Sequence, residues 1–211
     1  MNRIRLVMVA LVVFALQLGC AVQSPVVTYY LLQPDAGALA TKLAAPALQP
    51  LRLQLLSVEL SPYLDRPQLL RRLGSGEQLE LAEFHQWGGQ LRQQLADLML
   101  PQLATALETP YVIQAPTPLR GGYDYQLALE FVRFEQQPSG HVLLEVRWRL
   151  YSGHGGELVA LKSSLLQSPA ALPDNAYAEV VKTMSQLLAQ FTSSLAVELS
   201  AVVNRQPTDA R

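Results

Sequence analysis

The sequence predicts one α+β domain with a mixed, mostly antiparallel sheet and two main helices packed on one of its faces. Two segments near the middle of the chain alternate apolar and polar residues, which is typical of a half-buried antiparallel hairpin. Two other segments repeat apolar residues every three or four positions, which is the spacing of amphipathic helices. With 211 residues, 50% of them hydrophobic and 16% charged, the chain can form one globular core.

The first twenty residues predict export and lipidation. Two arginines among the first five residues precede an apolar run at 6–16, and Gly19 precedes Cys20, the only cysteine of the chain. This order is typical of a signal peptide, and the run is shorter than the roughly 20 residues of a membrane-spanning helix. A lone cysteine cannot form an internal disulfide. We therefore expect residues 1–19 to be a signal peptide and Cys20 to carry a diacylglycerol and an N-acyl chain.

The residues next to Cys20 indicate how well the lipidation signal fits and which membrane holds the anchor. Gln17 stands three residues before the cysteine, where lipidation signals prefer an aliphatic residue. Ala21 follows the cysteine, instead of the aspartate that typically retains lipoproteins in the inner membrane. We therefore expect an acylated tether at 20–25 and a protein on the periplasmic face of the outer membrane. An uncleaved inner-membrane anchor and an inert thiol are the alternatives.

The first part of the domain is predicted to contain two strands and a long loop. A strand is expected at 26–32, VVTYYLL, because β-branched and aromatic residues favour strands. The Ala- and Pro-rich segment 33–50 is expected to be a loop. A second strand is predicted at 52–60, where the alternation changes phase and indicates a bulge near Leu55.

A hairpin and a helix are predicted next. Extended pieces at 68–72 and 78–81 flank Gly74-Ser75-Gly76, which suits a tight turn. Apolar residues then recur at helical spacing and predict one helix face, formed by Phe84, Trp87, Leu91, Leu95, Leu98 and Met99. Pro101 is expected to kink or divide this helix.

The second half of the chain gives the clearest strand pattern. After a short strand at 111–114, alternation at 126–131 and 141–150 across a turn at 138–140 predicts an antiparallel hairpin with one buried face. A third strand at 157–166 is expected to extend this meander.

A long helix is predicted after Pro173. Its apolar stripe is expected to cover the sheet, although docking of a lipid or a partner is the alternative; the stripe comprises Tyr177, Val180, Val181, Met184, Leu187, Leu188, Phe191, Leu195, Leu199 and Val202. The domain is thus predicted at 26–203, with a flexible polar tail at 204–211.

The sequence predicts no catalytic, cofactor or metal site. None of the three histidines has a spacing that suits a metal. Ser75 and His154 lie in Gly-rich segments, but no G-x-S-x-G nucleophile elbow occurs, so turns are the favoured interpretation. Loss of residues 1–19 removes two of 16 basic residues and leaves 14 against 17 acidic ones, which gives no basic surplus for nucleic-acid binding.

Four tyrosines leave two interpretations open. Tyr29 and Tyr30 lie in the first predicted strand, and Tyr123 and Tyr125 lie just before the central hairpin. They are expected to belong to the core and its rim, with an aromatic binding surface as the alternative.

Several segments together resemble a known family. They are the TYYLL strand at 28–32, VELSPYLDRPQLLRR at 58–72, EFHQWGGQLRQQL at 83–95, and YDYQLALEFVRFE at 123–135, which leads into LEVRWRL ending at Leu150. In this order they are similar to the ABC-type transport auxiliary lipoproteins, which include the paraquat-inducible protein C (YmbA-like) lipoproteins. None of these segments carries a catalytic motif.

The resemblance implies an accessory role in lipid transport. Such lipoproteins work with an MCE-domain protein and a membrane permease that move lipid between two membranes, in some cases as a homo-oligomeric ring. We therefore expect a non-enzymatic docking component at the outer membrane. The alternatives are a stand-alone periplasmic lipid-binding carrier or chaperone, and a lipid-directed hydrolase that uses Ser75 or His154.

Overall fold

The computed structural model of the protein describes residues 25–34, 50–153 and 156–205. The predicted signal peptide, Cys20, His154 and nearly all of the predicted loop at 33–50 lie outside the described residues. The described residues form eight strands and two helices. Their order is β1 Thr28–Tyr30, β2 Leu53–Leu60, β3 Gln68–Leu73, β4 Gln78–Trp87, α1 Leu91–Ala106, β5 Val112–Gln114, β6 Tyr125–Gln136, β7 Val142–Ser152, β8 Leu158–Gln167 and α2 Tyr177–Val203.

All eight strands belong to one mixed sheet built around β6. On one side β6 pairs antiparallel with β7, which in turn pairs antiparallel with β8. On its other side β6 pairs in parallel with β2 and, through the single pair Arg71–Gln136, with β3. β5 joins β2, while β4 and then β1 continue the sheet beyond β3. β1 and β8 therefore lie at opposite edges of the sheet.

The core lies between the sheet and the two helices, which confirms the predicted α+β class. α1 packs on β2 and β5, α2 packs on β6, β7 and β8, and the helices contact each other. Phe131 of β6 meets Phe191 of α2 edge-on at 6.4 Å between ring centroids, and both side chains are completely buried. The inward face of β7 is also buried along its length, through Val142, Leu144, Val146, Trp148 and Leu150.

The phase change in β2 is a bulge, as predicted. The pairing of β2 with β6 shifts between Leu55 and Ser57, which leaves Leu56 without a cross-strand partner. Leu53, Leu55 and Val58 are buried, whereas Leu56 is 42% exposed. The extra residue restores the inward direction of the apolar side chains after the bulge.

The predicted beginning of the first helix was wrong. Phe84 and Trp87 lie in β4, which continues to Trp87, and α1 begins only at Leu91. Gly88 and Gly89 separate the two elements, and glycine disfavours a helix interior. β1 pairs with residues 85–87 and so supplies a strand partner for the end of β4.

Helix α1 is not divided at Pro101, and the predicted apolar stripe of α2 is largely buried. Pro101 lies within α1, which remains one element to Ala106. In α2 the predicted stripe is buried except at its ends, where Tyr177 and Val202 are partly exposed. α2 is long and apolar enough to cross a membrane, but half of its most apolar window is buried within the domain. Its role here is to cover the sheet.

Candidate docking surfaces

The residues singled out in the sequence do not converge on a reactive centre. Cys20 and His154 lie outside the described residues, so the structure does not locate them. Ser75 lies in the exposed turn between β3 and β4, where its hydroxyl donates to the Glu77 carboxylate. A nucleophilic serine needs an adjacent base that is oriented by a third group. In this turn the only side-chain partner described for Ser75 is a solvent-exposed carboxylate, and no third group among the described residues orients that carboxylate as a base.

The histidines inside the described ranges have structural partners. His141 Nδ1 lies 2.8 Å from the Ser168 carbonyl oxygen, at the start of β7. His85 Nδ1 lies 2.9 Å from the Tyr30 hydroxyl, and its ring stacks on Tyr177 at 3.9 Å. Within the described part of the chain, no three His, Cys, Asp or Glu side chains lie close enough together to hold a metal ion.

A cleft, here called the N-terminal groove, lies at the β1 edge of the sheet. It has a volume of about 840 Å³ and is open to solvent. Its walls come from β1, the loop before β3, the end of β4 and the start of α1; they include Tyr29, Leu31, Arg66, Trp87 and Leu91. Apolar side chains form most of the lining, with charged groups at one side.

The pairing of β1 with β4 builds this groove. Tyr30 lies opposite Trp87 in the parallel ladder, and the Gly88 N–H donates to the Tyr30 carbonyl at 2.7 Å. Leu31 then crosses Gly88 so closely that a Cβ added there would lie 3.1 Å from Leu31 Cδ2. Leu32 is buried, and its N–H donates to Gln94 Oε1 at 2.9 Å. These contacts hold the entering chain against β4 and α1.

A second, smaller cleft lies on the other side of the same segment. It has a volume of about 320 Å³ and separates residues 30–34 from the first turns of α2. Ser185 of α2 lines it and accepts a hydrogen bond from the Gln33 N–H at 3.1 Å. Partial burial, followed by the proximity of Tyr177, raises the pKa of Tyr30 above its ordinary value. Tyr30 is therefore neutral at physiological pH.

The charges beside the N-terminal groove are unevenly paired. Asp65 and Arg92 form an exposed ion pair with 2.9 Å between Oδ2 and Nη2. Arg66 is exposed, and no carboxylate of the described residues lies within ion-pair distance of its side chain. The groove therefore has one uncompensated positive charge at its rim.

The opposite edge of the sheet carries a second apolar surface, here called the β8 edge. It is formed by Leu158, Leu161 and Leu165, which are 55%, 61% and 66% exposed. Leu161 lies opposite Arg149 and Leu165 opposite Glu145, on the face of β7 that points away from the core. Within the described ranges, β8 pairs with β7 alone. Its second side therefore presents unpaired backbone groups along ten residues.

The four tyrosines do not form one aromatic surface. Tyr29 is 63% exposed at the N-terminal groove, whereas Tyr125 is buried at the start of β6. Tyr30 and Tyr123 are partly buried in separate places. The sequence indicated neither the pairing of β1 with β4 nor the N-terminal groove, because this parallel contact joins residues more than fifty positions apart.

Comparisons with known proteins agree with this fold. A family model described as the ABC-type transport auxiliary lipoprotein component matches residues 30–196. The solved structure of XCC0632 from Xanthomonas campestris is 19% identical, with a TM-score of 0.70, and the match covers 84% of this chain and 97% of that one. A second solved structure, of an uncharacterized protein, is 23% identical with a TM-score of 0.64, over 83% of this chain and 99% of that one. No curated protein matches the chain.

Proposed function

Because the chain belongs to the ABC-type transport auxiliary lipoprotein family, we propose that it is a non-enzymatic docking component of an MCE-type intermembrane lipid transport system, anchored at the periplasmic face of the outer membrane. The observation that carries this proposal is the family match, which spans the domain from β1 to the last turns of α2. Among the described residues, Ser75 has no histidine base beside it and contacts only an exposed carboxylate, which supports a role without chemistry of its own.

The anchor in this proposal is Cys20 acylated with a diacylglycerol and an N-acyl chain. The supporting observations are the apolar run before it, Gly19 at the preceding position and the absence of any other cysteine in the sequence. Ala21 supports release to the outer membrane. The domain then stands in the periplasm, where it can meet a transporter that spans the space between the membranes.

We assign partner docking to the β8 edge. A long edge strand with exposed leucines is a liability for an isolated soluble protein, because it pairs readily with other strands. Strand addition at such an edge is also a common mode of protein recognition, in which backbone hydrogen bonds give affinity and alternate side chains give specificity. An MCE-domain protein is the proposed occupant of the β8 edge, and a second copy of this chain is the other outcome of the test.

The stand-alone lipid carrier is less well supported. Such a carrier needs a cavity that encloses most of its ligand. The two larger clefts described above are open, and the cavity beneath Trp87 and Leu91 has a volume of only about 10 Å³. These clefts suit contact with a surface better than enclosure of a phospholipid.

A photocrosslinking experiment tests the proposal. A photoreactive amino acid is placed at Leu161 in the acylated full-length protein, membranes are irradiated, and the crosslinked partners are identified by mass spectrometry. The matched control has the same group at Leu79, which is 38% exposed on β4, near the other edge of the sheet. The N-terminal peptide is analysed in the same samples for acylated Cys20.

The expected result is an MCE-domain protein crosslinked from Leu161 and not from Leu79, together with an acylated Cys20 peptide. Crosslinks from Leu161 to a second copy of the chain would assign the β8 edge to self-association instead. An acylated protein that crosslinks to no transport component from either position would contradict the docking role and favour the lipid carrier.

A further inference from the structure

The N-terminal groove lies where the chain enters the domain. We propose that this groove is a membrane-contact site, which rests on the phospholipid surface of the bilayer that holds Cys20. In this arrangement Val26, Tyr29 and Leu31 enter the interfacial region, and Arg66 faces the lipid phosphates. The inference rests on the acylation of Cys20 in the proposed function and adds to it a defined orientation of the domain.

The short tether limits how far this edge can lie from the bilayer. Five residue steps separate Cys20 from Pro25, the first described residue. An extended chain spans at most about 3.6 Å per residue, so the tether reaches no more than about 18 Å. A domain of this size has a radius of gyration of about 15 Å. The tether is therefore shorter than the domain is wide, and the β1 edge stays near the membrane surface.

The side chains next to the tether are apolar and exposed. Val26 is 85% exposed, Tyr29 63% and Leu31 52%, which places them among the most exposed large apolar residues described. Trp87 lies beneath them in the groove wall. Trp87 itself is buried, so Tyr29 is the exposed aromatic residue here. Tyrosine is enriched at membrane interfaces, because its ring has an apolar body and a polar tip. Contact with lipid would remove this apolar surface from water.

The charge at the rim fits a phospholipid surface. Asp65 is paired with Arg92, so its charge is compensated within the domain. Arg66 has no carboxylate partner in the described residues, and a guanidinium binds phosphate oxygens through two parallel hydrogen bonds. Basic side chains close to an anionic bilayer surface are attracted to it. Arg66 therefore supplies a polar contact beside the apolar ones.

This orientation leaves the β8 edge free. The path β1-β4-β3-β6-β7-β8 contains five strand-to-strand steps, and at about 4.8 Å for each step the two edges lie roughly 24 Å apart. A domain that rests on the bilayer through the β1 edge keeps Leu161 and Leu165 away from the lipid. Membrane contact and partner docking can therefore occur at the same time.

The test uses the acylated full-length protein with one added cysteine. Acylation consumes the thiol of Cys20, so the cysteine in Leu31→Cys is the single free thiol for an environment-sensitive fluorophore. The labelled protein is reconstituted into vesicles of phosphatidylethanolamine and phosphatidylglycerol. Quenching by iodide reports exposure to water, and quenching by a spin-labelled phospholipid reports contact with the bilayer. Tyr29→Cys provides a second position in the groove.

Leu161→Cys on the β8 edge is the matched control, because it replaces a leucine of similar exposure, 61% against 52% for Leu31, far from the tether. We expect iodide quenching at Leu31→Cys to be several-fold weaker than at Leu161→Cys, and quenching by spin-labelled lipid to be several-fold stronger. Arg66→Glu should reduce the lipid quenching at Leu31→Cys in anionic vesicles. Equal exposure of the two labels to iodide would overturn the inference.

Two further measurements show whether a negative result concerns the occupant of the groove or the lipid anchor. Protection at Leu31→Cys that disappears when each vesicle holds one protein would identify a second copy as the occupant of the groove and overturn the inference. A mass of the N-terminal peptide without acyl chains would contradict the proposed anchor itself. An acylated protein with a water-exposed Leu31→Cys label would leave the anchor intact and contradict only the membrane contact.

Discussion

Arg72 and Glu135 form an ion pair across the junction of β3 and β6, with 2.7 Å between Nε of Arg72 and Oε1 of Glu135. The Glu135 side chain is completely buried. Tyr63, in the loop before β3, donates to the other carboxylate oxygen at 3.0 Å, and its ring lies 5.3 Å from the Arg72 guanidinium. Because β3 and β6 share a single residue pair in the sheet, these side chains add a second link between the β3–β4 hairpin and β6.

Replacement of Arg72 by methionine should therefore destabilise the domain. The change leaves the Glu135 carboxylate buried without its closest cation, and breaking a buried pair in this way typically costs about 3–5 kcal/mol. Arg133 Nε lies 3.4 Å from the same oxygen and still compensates part of the charge. We therefore expect a loss of about 3 kcal/mol in the free energy of unfolding, measured by urea denaturation of a soluble form.

An exposed pair in the same region provides the control for Arg72. Arg92 and Asp65 are each about half exposed, and exposed pairs contribute about 0–1 kcal/mol. Arg92→Met should therefore shift the urea midpoint very little. The double variant Arg72→Met/Glu135→Leu should regain stability relative to Arg72→Met, because no buried charge is left. Equal midpoints for Arg72→Met and Arg92→Met would contradict this account of the junction.

The same cluster predicts a change in stability at high pH. Burial, followed by the nearby charge of Glu135, raises the pKa of Tyr63 from its ordinary value of 10.0 to about 12. The folded protein therefore holds the phenol proton more tightly than the unfolded chain does. This contribution to stability is complete below pH 10 and is lost as the pH rises towards 12.

An absorbance titration of the tyrosinates checks this prediction. The chain has eight tyrosines, and we expect one of them to ionise late, near pH 12. Tyr63→Phe should remove that late phase, whereas Tyr29→Phe, at an exposed position, should leave it in place. A late phase that persists in Tyr63→Phe would assign the raised pKa to another tyrosine.

Local patterns predicted the second half of the fold well. The strands β6, β7 and β8 follow one another through short turns, and their alternation shows directly which side chains are buried. The apolar stripe of α2 is similarly regular. In both cases the residues that contact each other, or share a face, are close in sequence, so the period of the pattern contains the required information.

The parallel strand pairs could not be predicted from local sequence patterns. Leu53 of β2 lies opposite Tyr125 of β6, and Tyr30 lies opposite Trp87. Neither contact leaves a local trace, since each strand has the same composition whichever strand it joins. The spacing of Phe84, Trp87 and Leu91 also fits both a helix and a strand end followed by a helix. The N-terminal groove depends on these pairings, and for that reason the sequence did not indicate it.

The packing of α2 on the sheet gives a direct test of the core. Phe191 is completely buried and meets Phe131 edge-on. Phe191→Ala removes a buried ring and leaves a cavity, which typically costs about 3–5 kcal/mol. The control Val197→Ala lies on the same helix, at a side chain that is 48% exposed, and should change stability by less than about 0.5 kcal/mol. Similar urea midpoints for the two variants would contradict the assigned face of α2.

Gly153 marks the close approach of the turn after β7 to the chain that enters β6. Its N–H donates to the Asp124 carbonyl at 2.8 Å, and a Cβ added at Gly153 would lie 1.6 Å from the Tyr123 carbonyl oxygen. The obstacle is backbone, so a change of rotamer cannot relieve it. We expect Gly153→Ala to lower the free energy of unfolding by at least about 1–3 kcal/mol, the usual cost of overpacking, as measured by urea denaturation.

The matched control for Gly153→Ala is Gly89→Ala in the short connection between β4 and α1. A Cβ at Gly89 would meet its nearest neighbour, Gln94 Nε2, at 3.9 Å, which is ordinary contact, and this glycine does not have a positive φ. The two variants add the same methyl group and remove the same backbone freedom from the unfolded chain. A difference between their unfolding midpoints therefore reports the clash with the backbone of Tyr123 and Asp124, and equal midpoints would show that the turn after β7 can move away from β6 at little cost.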